Sequence, residues 1–233
     1  MSPSLPVALF FDVFGTLVDF RSSIAREARA RFGNGFDGEA FADAWRAEYQ
    51  PAMQAIRAGG RGYVKLDVLH RENLDRILPR FGLADLPEAD RAALNLVWHR
   101  LHAWSEVPDA LRRLATRFRL APVSNGNISL MADLARHNGF RWDAILGAEI
   151  ARDYKPKPVV YEAACAAFDL LPDQCMMVAA HTDDLVAAKA SGLRTAHVAR
   201  PDEHGPGRGE AAPSAPVDHA APDLAALARL LGC

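Results

Sequence analysis

Cysteine is scarce, with three in 233 residues, at Cys165, Cys175 and Cys233. An odd number without regular spacing argues against a disulfide framework or a zinc site, and for reduced thiols in a cytoplasmic protein. Cys175 opens an apolar run, where packing is its expected role. No apolar stretch approaches the roughly 18 residues of a membrane span. The start, M-S-P-S-L-P, lacks the charged and apolar regions of a secretory leader. Charge of one sign is also missing: 27 basic and 29 acidic residues leave −2. That balance provides no field for nucleic acid or an anionic membrane surface. The chain has no internal repeat. What remains is ordinary for a globular protein, half hydrophobic and 24% charged. Its length suits one domain with an insertion or two small domains.

One stretch organises the rest: V-A-L-F-F-D-V-F-G-T-L-V-D, residues 7–19. Val7 to Phe11 is an unbroken apolar run, the pattern of a strand buried on both faces of a parallel sheet. It stops at Asp12, and Gly15-Thr16 lets the chain turn. Open α/β sheets place their chemistry at the carboxyl ends of central strands. Asp12 is therefore a candidate reactive carboxylate; a hydrogen-bond acceptor in a turn is the plainer alternative. Phe14, two residues on, can shape an apolar pocket but cannot move a proton.

From Phe20 to about Trp104 the pattern is helical. Ser22-Ser23 can cap a helix over Ile24 to Phe32, closed by Gly33-Asn34-Gly35. A second helix, about Glu39 to Ala58, puts Phe41, Trp45 and Tyr49 on one stripe and breaks at Gly59-Gly60. Val64 to Phe81 reads as a third, and Pro87-Glu88 opens a fourth reaching about His102. Strand and helix then alternate. Helices are expected at Val107–Phe118, Asn127–Asn138, Val159–Phe168, Asp183–Ser191 and Leu224–Leu231, and strands at Arg119–Val123, Ala144–Ala148, Cys175–Ala179 and Arg194–Val198. The alternation predicts a parallel sheet with helices on both faces. Residues 201–222, rich in Gly, Pro and Ala, read as a surface loop. Glu203, His204 and His219 fall in or beside it without forming a metal site.

Four strand ends bring polar groups to one sheet edge. Asp12 and Thr16 come from the first. Ser124-Asn125-Gly126 precedes a helix, where hydroxyl, amide and N–H groups can hold an anion or simply cap and turn the chain. In Tyr154-Lys155-Pro156-Lys157-Pro158-Val159-Val160-Tyr161, two prolines hold the backbone extended up to the helix, which aims Lys155; the plainer alternative is an exposed lysine in a Pro-rich loop, as Lys157 is expected to be. Ala180-His181-Thr182-Asp183-Asp184 places acids at a strand-to-helix junction, where Asp183 can satisfy the macrodipole.

In this order the four pieces resemble the motifs of the haloacid dehalogenase (HAD) superfamily over nearly the whole chain. S-N-G, K-P-x-P-x-V-Y and the pair Trp45-Arg46 are similar to the L-2-haloacid dehalogenase (type II) branch. The resemblance implies a HAD-like α/β fold, a Rossmannoid parallel-sheet core over residues 1–19 and 105–233, with an inserted all-helical cap over 20–104. It also implies Asp12 as nucleophile, with Lys155 and Thr16 keeping it ionised and aligned. Arg46 and Asn125 would receive the departing halide, and Ser124 would hold the substrate carboxylate. Phe14 and Tyr161 would shape the pocket. Asp184, with His181, would activate water for a 2-haloacid substrate, although His181 alternatively bonds only to backbone. Phosphatases of the superfamily carry an acid where Phe14 stands, and Mg²⁺-dependent members one where Ala180 stands. Without these, too few hard oxygen ligands remain, and no metal or other cofactor is expected. The resemblance further implies a homodimer. Ala179, His181 and Asp183 depart from the S-S-N-x-W-D pattern of the branch, which bears on substrate identity. A phosphatase acting on a small phosphorylated metabolite, or a catalytically silent interaction protein, are the alternatives.

Overall fold

The computed structural model describes residues 5–59 and 61–233. The first four residues and Gly60, half of the expected Gly59-Gly60 break, lie outside them. The apolar run forms β1 (Ala8–Phe11), buried at every residue. Leu9 and Phe11 enter one hydrophobic core, while Ala8 and Phe10 enter a second on the opposite face of the sheet. Burial on both faces is what an unbroken apolar strand requires, and each phenylalanine contributes roughly 1.5–3 kcal/mol. Beyond Asp12 the chain enters a two-residue strand, β2 (Val18–Asp19), and leaves the sheet.

Helices follow: α1 (Phe20–Phe32), α2 (Gly38–Ala47), α3 (Tyr49–Arg57) and α4 (Leu66–Ile77), the last continued by a 3₁₀ turn at Leu78–Phe81. Next come α5 (Glu88–Asn95) and a 3₁₀ segment at Leu96–Arg100. The return strand β3 (His102–Ala103) pairs antiparallel with β2, Val18 opposite Ala103 and Asp19 opposite His102. This ribbon, absent from the sequence reading, joins the two ends of the helical segment.

Two helix boundaries here depart from expectation for local reasons. Asp19, not the serine pair, caps α1, its carboxylate accepting from Ser22 N–H at 3.0 Å. Ser23 is occupied elsewhere, its hydroxyl accepting from His102 N–H at 2.9 Å. The expected second helix divides at Glu48, because Pro51 has no N–H for the residue 47 carbonyl and is tolerated only in the first turn of a new helix. Phe41 and Trp45 are buried, and Trp45 Nε1 donates to the His70 carbonyl at 2.9 Å.

The remaining elements are α6 (Val107–Leu114), β4 (Arg119–Ser124), α7 (Ile128–Asn138), β5 (Leu146–Gly147), α8 (Ala148–Ala151) and α9 (Pro158–Ala167). Then follow β6 (Cys175–Ala179), α10 (Thr182–Ala190), β7 (Arg194–Val198), β8 (His219–Ala221) and α11 (Leu224–Leu230). The sheet order is β5-β4-β1-β6-β7-β8, every pairing parallel. α6 stops four residues before Phe118, where the Thr116 hydroxyl turns back onto the Arg113 carbonyl. β5 is shorter than expected because only Leu146 and Gly147 meet β4.

The stretch 201–222 is not merely a surface loop. It ends in β8 on the sheet edge, and its first half folds inward. The Arg200 side chain, itself buried, donates to the Thr16 carbonyl at 2.9 Å and to Glu106 at 2.7 Å. Glu203 is only 2% exposed. Composition marked this segment as irregular but gave no sign that it returns to the sheet.

Candidate active site

The carboxyl ends of β1, β4 and β6 lie side by side, with Phe11 opposite Pro122 and Val178. Asp12 follows immediately, its N–H donating to the Val178 carbonyl at 3.0 Å. Lys155 Nζ donates to Asp12 Oδ1 at 2.9 Å, and Thr16 Oγ1 donates to Oδ2 at 2.7 Å. Thr16 Oγ1 in turn accepts from Ala180 N–H at 2.9 Å, which fixes the direction of the hydroxyl. His181 Nδ1 lies 3.2 Å from Asp12 Oδ2. Burial alone would push the Asp12 pKa up, but Lys155 and His181 pull it far below the usual carboxylate range. The carboxylate is ionised and fixed.

Lys155 is shared. Its ammonium also donates to Asp184 Oδ2 at 2.5 Å, and Tyr161 OH donates to Asp184 Oδ1 at 2.5 Å. Burial opposes a charged lysine, yet the two carboxylates outweigh it and raise its pKa. Asp184 shifts upward, because burial and the Asp12 charge exceed the help from Lys155 and Tyr161. The lysine backbone is held as well, its N–H donating to Asn125 Oδ1 at 2.7 Å. The Lys155–Pro156 peptide is cis, where an extended segment was expected. Lys157 pairs with Asp153 at 2.8 Å on the surface.

A cavity of about 320 Å³ opens above these groups, lined by Asp12, Phe14, Arg46, Ser124, Asn125 and His181, among others. Arg46 reaches it from α2, held by aromatic faces: its Cζ lies 4.4 Å from the Tyr49 ring centroid and 5.1 Å from that of Phe20. Asn125 Nδ2 donates to Tyr49 OH at 2.7 Å, linking β4 to α3. Phe14 packs edge-on against Trp98 and His70, centroids 5.6 and 6.0 Å apart, and forms an apolar wall. A fixed carboxylate facing Lys155, Arg46 and His181 in so small a space suits nucleophilic attack on a small anionic molecule.

The haloacid dehalogenase-like hydrolase family model matches residues 7–192. The chain belongs to that family. Among curated haloacid dehalogenases, it is 32% identical to an (S)-2-haloacid dehalogenase of Pseudomonas sp. strain YL, over 82% of this chain and 81% of that one. The solved structure of a defluorinating L-2-haloacid dehalogenase superposes with a TM-score of 0.93 at 40% identity, covering 99% of this chain and all of the other. An L-2-haloacid dehalogenase from Xanthobacter autotrophicus with chloropropionic acid covalently bound superposes at 0.82 with 25% identity, covering 97% and 98% of the two chains. As a haloacid dehalogenase-like protein, the chain is a hydrolase built on a parallel sheet with flanking helices, as its motifs implied.

Two residues expected at the haloacid pocket stand behind it. Tyr161 is fully buried and supports Asp184, and Thr16 is fully buried beneath Asp12. Neither lines the cavity. The sequence reading missed Tyr49, Gln50, Glu203 and Glu210. Tyr49 and Gln50 follow Arg46 by three and four residues, a spacing that on the single helix expected over Glu39 to Ala58 puts all three on one face. Glu210 lines the cavity and accepts from Thr182 N–H at 3.1 Å. Glu203 meets His181 Nε2 at 2.9 Å and Asp12 Oδ2 lies 3.2 Å from Nδ1, so the ring faces two carboxylates. No local pattern announces either glutamate.

Proposed function

We propose that this hydrolase removes halide from short 2-haloalkanoic acids through an aspartyl ester at Asp12, giving a 2-hydroxy acid. The observation that carries the reading is the ionised Asp12, bonded to Lys155 and Thr16, with Phe14 two residues on where a phosphatase needs a proton donor. Asp12 attacks the halogen-bearing carbon from the side opposite the halide and inverts it. Arg46 and Asn125 stabilise the departing anion, and Ser124 with neighbouring N–H groups holds the substrate carboxylate. Water, giving its proton to Asp184, then adds to the ester carbon. The Cγ–Oδ1 bond breaks, and the alkoxide takes that proton back from Asp184 to leave as the hydroxy acid, while the regenerated Asp12 carboxyl gives up its own proton to solvent.

Residues 20–104 act as a cap that closes the cavity and excludes bulk water. The reaction needs no metal, since the Lys155 ammonium sits between the two carboxylates that would otherwise share a cation. We take the working unit to be a cytoplasmic homodimer, a point for sedimentation analysis. Ion chromatography after incubation with chloro-, bromo- and fluoroacetate and both 2-chloropropionate enantiomers tests the function. The expected result is halide release from the haloacetates and from (S)-2-chloropropionate alone. Fluoroacetate belongs in the screen because one similar structure is a defluorinating enzyme. EDTA-sensitive phosphate release from phosphorylated metabolites without any halide release would overturn the reading.

A further inference from the structure

The two oxygens of Asp12 are not equivalent. Oδ1 has one donor, Lys155, whereas Oδ2 has two partners, the Thr16 hydroxyl and His181 Nδ1. The far side of the imidazole is clamped by Glu203, whose oxygens lie 2.9 and 3.0 Å from Nε2. Glu203 is held in turn. Gly15, at φ 81°, sits so close that a Cβ there would overlap the Glu203 carboxylate. The loop that brings it is tied by the Arg200 N–H to the Glu210 carbonyl at 2.9 Å and the Gly209 N–H to the Pro201 carbonyl at 2.8 Å. A buried carboxylate delivered by a long loop, aimed at a histidine that touches the nucleophile, is a built arrangement.

We infer that His181, held by Glu203, is the oxyanion donor of the ester-hydrolysis step: its Nδ1–H and the Thr16 hydroxyl receive Asp12 Oδ2 as the ester carbonyl oxygen, and Oδ1 is the oxygen that attacks carbon. The inference rests on the dehalogenase reading. Alkylation through Oδ1 leaves the doubly bonded oxygen at Oδ2, which accepts from the Thr16 hydroxyl at 2.7 Å and lies 3.2 Å from His181 Nδ1. When water adds to Cγ, the electron pair of the C=O bond moves onto Oδ2, where Nδ1–H and Oγ1–H are waiting. The pair returns as Cγ–Oδ1 breaks, so His181 stabilises charge without transferring its proton.

His181 must keep that proton. Burial disfavours the charged ring, but Asp12 and Glu203 outweigh it and push the pKa up to about 10. A charged ring at this position in turn lowers the pKa of His197 on β7 and of His204. Esterification neutralises Asp12 and leaves Glu203 as the carboxylate that holds the imidazolium. Glu203 therefore matters most after the first bond has formed. Asp184, whose two oxygens are bonded to Lys155 and Tyr161, remains the group that takes the proton from water.

Rapid-quench kinetics with chloroacetate separates the steps, reading chloride release and the mass of the Asp12 adduct together. In His181→Ala, release of the first chloride should be slowed far less than hydrolysis. Hydrolysis should fall by about 10²–10³-fold, the cost of one oxyanion donor, so that the ester accumulates. His181→Asn, whose amide reaches the place of Nδ1, should restore much of the hydrolysis. Glu203→Gln should accumulate ester too, with the alkaline limb of turnover moved to lower pH. Equal slowing of both steps in His181→Ala and Glu203→Gln, without adduct, would overturn the inference, as would unimpaired hydrolysis in either. Should His181→Ala fail to fold, the Asn and Gln variants decide alone. Absence of chloride and adduct in the unaltered enzyme would sink the dehalogenase reading itself, a separate outcome.

Discussion

Lys155 neutralises two buried carboxylates at once, Asp12 at 2.9 Å and Asp184 at 2.5 Å, and is itself only 8% exposed. Removing one partner from such a cluster leaves like charges facing each other without water. Lys155→Met is expected to lose about 3–5 kcal/mol of unfolding free energy in urea titrations at neutral pH, together with halide release. The pH dependence gives the sign. In the unaltered protein Asp12 is held below its ordinary 3.8, so its contribution is present above that value and is lost as pH falls through the folded pKa. In the variant the carboxyls move up instead, and acidification should recover stability. A Lys155→Met protein with unchanged urea midpoint at every pH would contradict this account of the pair. Asp12→Asn, by contrast, should fold and release no halide, which circular dichroism and ion chromatography check together.

At the level of elements, several side-chain contacts join the helical segment to the α/β core besides the β2–β3 ribbon, among them those of Tyr154 with Val64, Asn127 with Asp67 and Asn125 with Tyr49. His99 makes another, its Nε2 3.1 Å from Asp67 on α4 and its Nδ1 2.8 Å from Asp133 on α7. Burial would lower its pKa, but the two aspartates raise it above 6.5. The clamp therefore contributes fully below pH 6.5, and its contribution is lost as pH rises through the folded value. Thermal midpoints of the native protein should lose their margin over His99→Asn across that interval; a constant margin from acid to alkaline pH would argue against the clamp. Gly15→Ala tests the turn after β1. A left-handed φ of 81° and the overlap with Glu203 should cost about 1–3 kcal/mol and slow ester hydrolysis, read from melting and adduct accumulation.

The same elements show what can be read from sequence. β1 and β6 were legible because apolar runs ending at turns have few other interpretations. Lys155 and Asp184 were legible through their resemblance to the family's third and fourth motifs. The break at Glu48 was legible in principle through Pro51. The β2–β3 ribbon was not, since two-residue strands carry no period. Glu203 was not either: its role depends on where a Gly/Pro-rich loop folds back, a tertiary outcome with no local signal.

Across the whole molecule, an all-parallel sheet with β1 at its centre sets the carboxylate of Asp12 beneath a helical roof, and the cavity between them is about 320 Å³. That size admits two- and three-carbon haloacids, so halide release should fall steeply with chain length. With Lys155 in the place of a cation, dialysis against EDTA should leave the rate unchanged, whereas a loss restored by Mg²⁺ would count against the proposed chemistry. The most direct measurement of that chemistry is single turnover in oxygen-18 water with enzyme in excess over chloroacetate. The hydroxyl oxygen of the first product should be light, delivered by Asp12, and the heavy isotope should appear in the peptide that contains Asp12. Heavy oxygen in the first product with none in that side chain would mean that water attacks carbon directly, contradicting the ester on which the whole scheme depends.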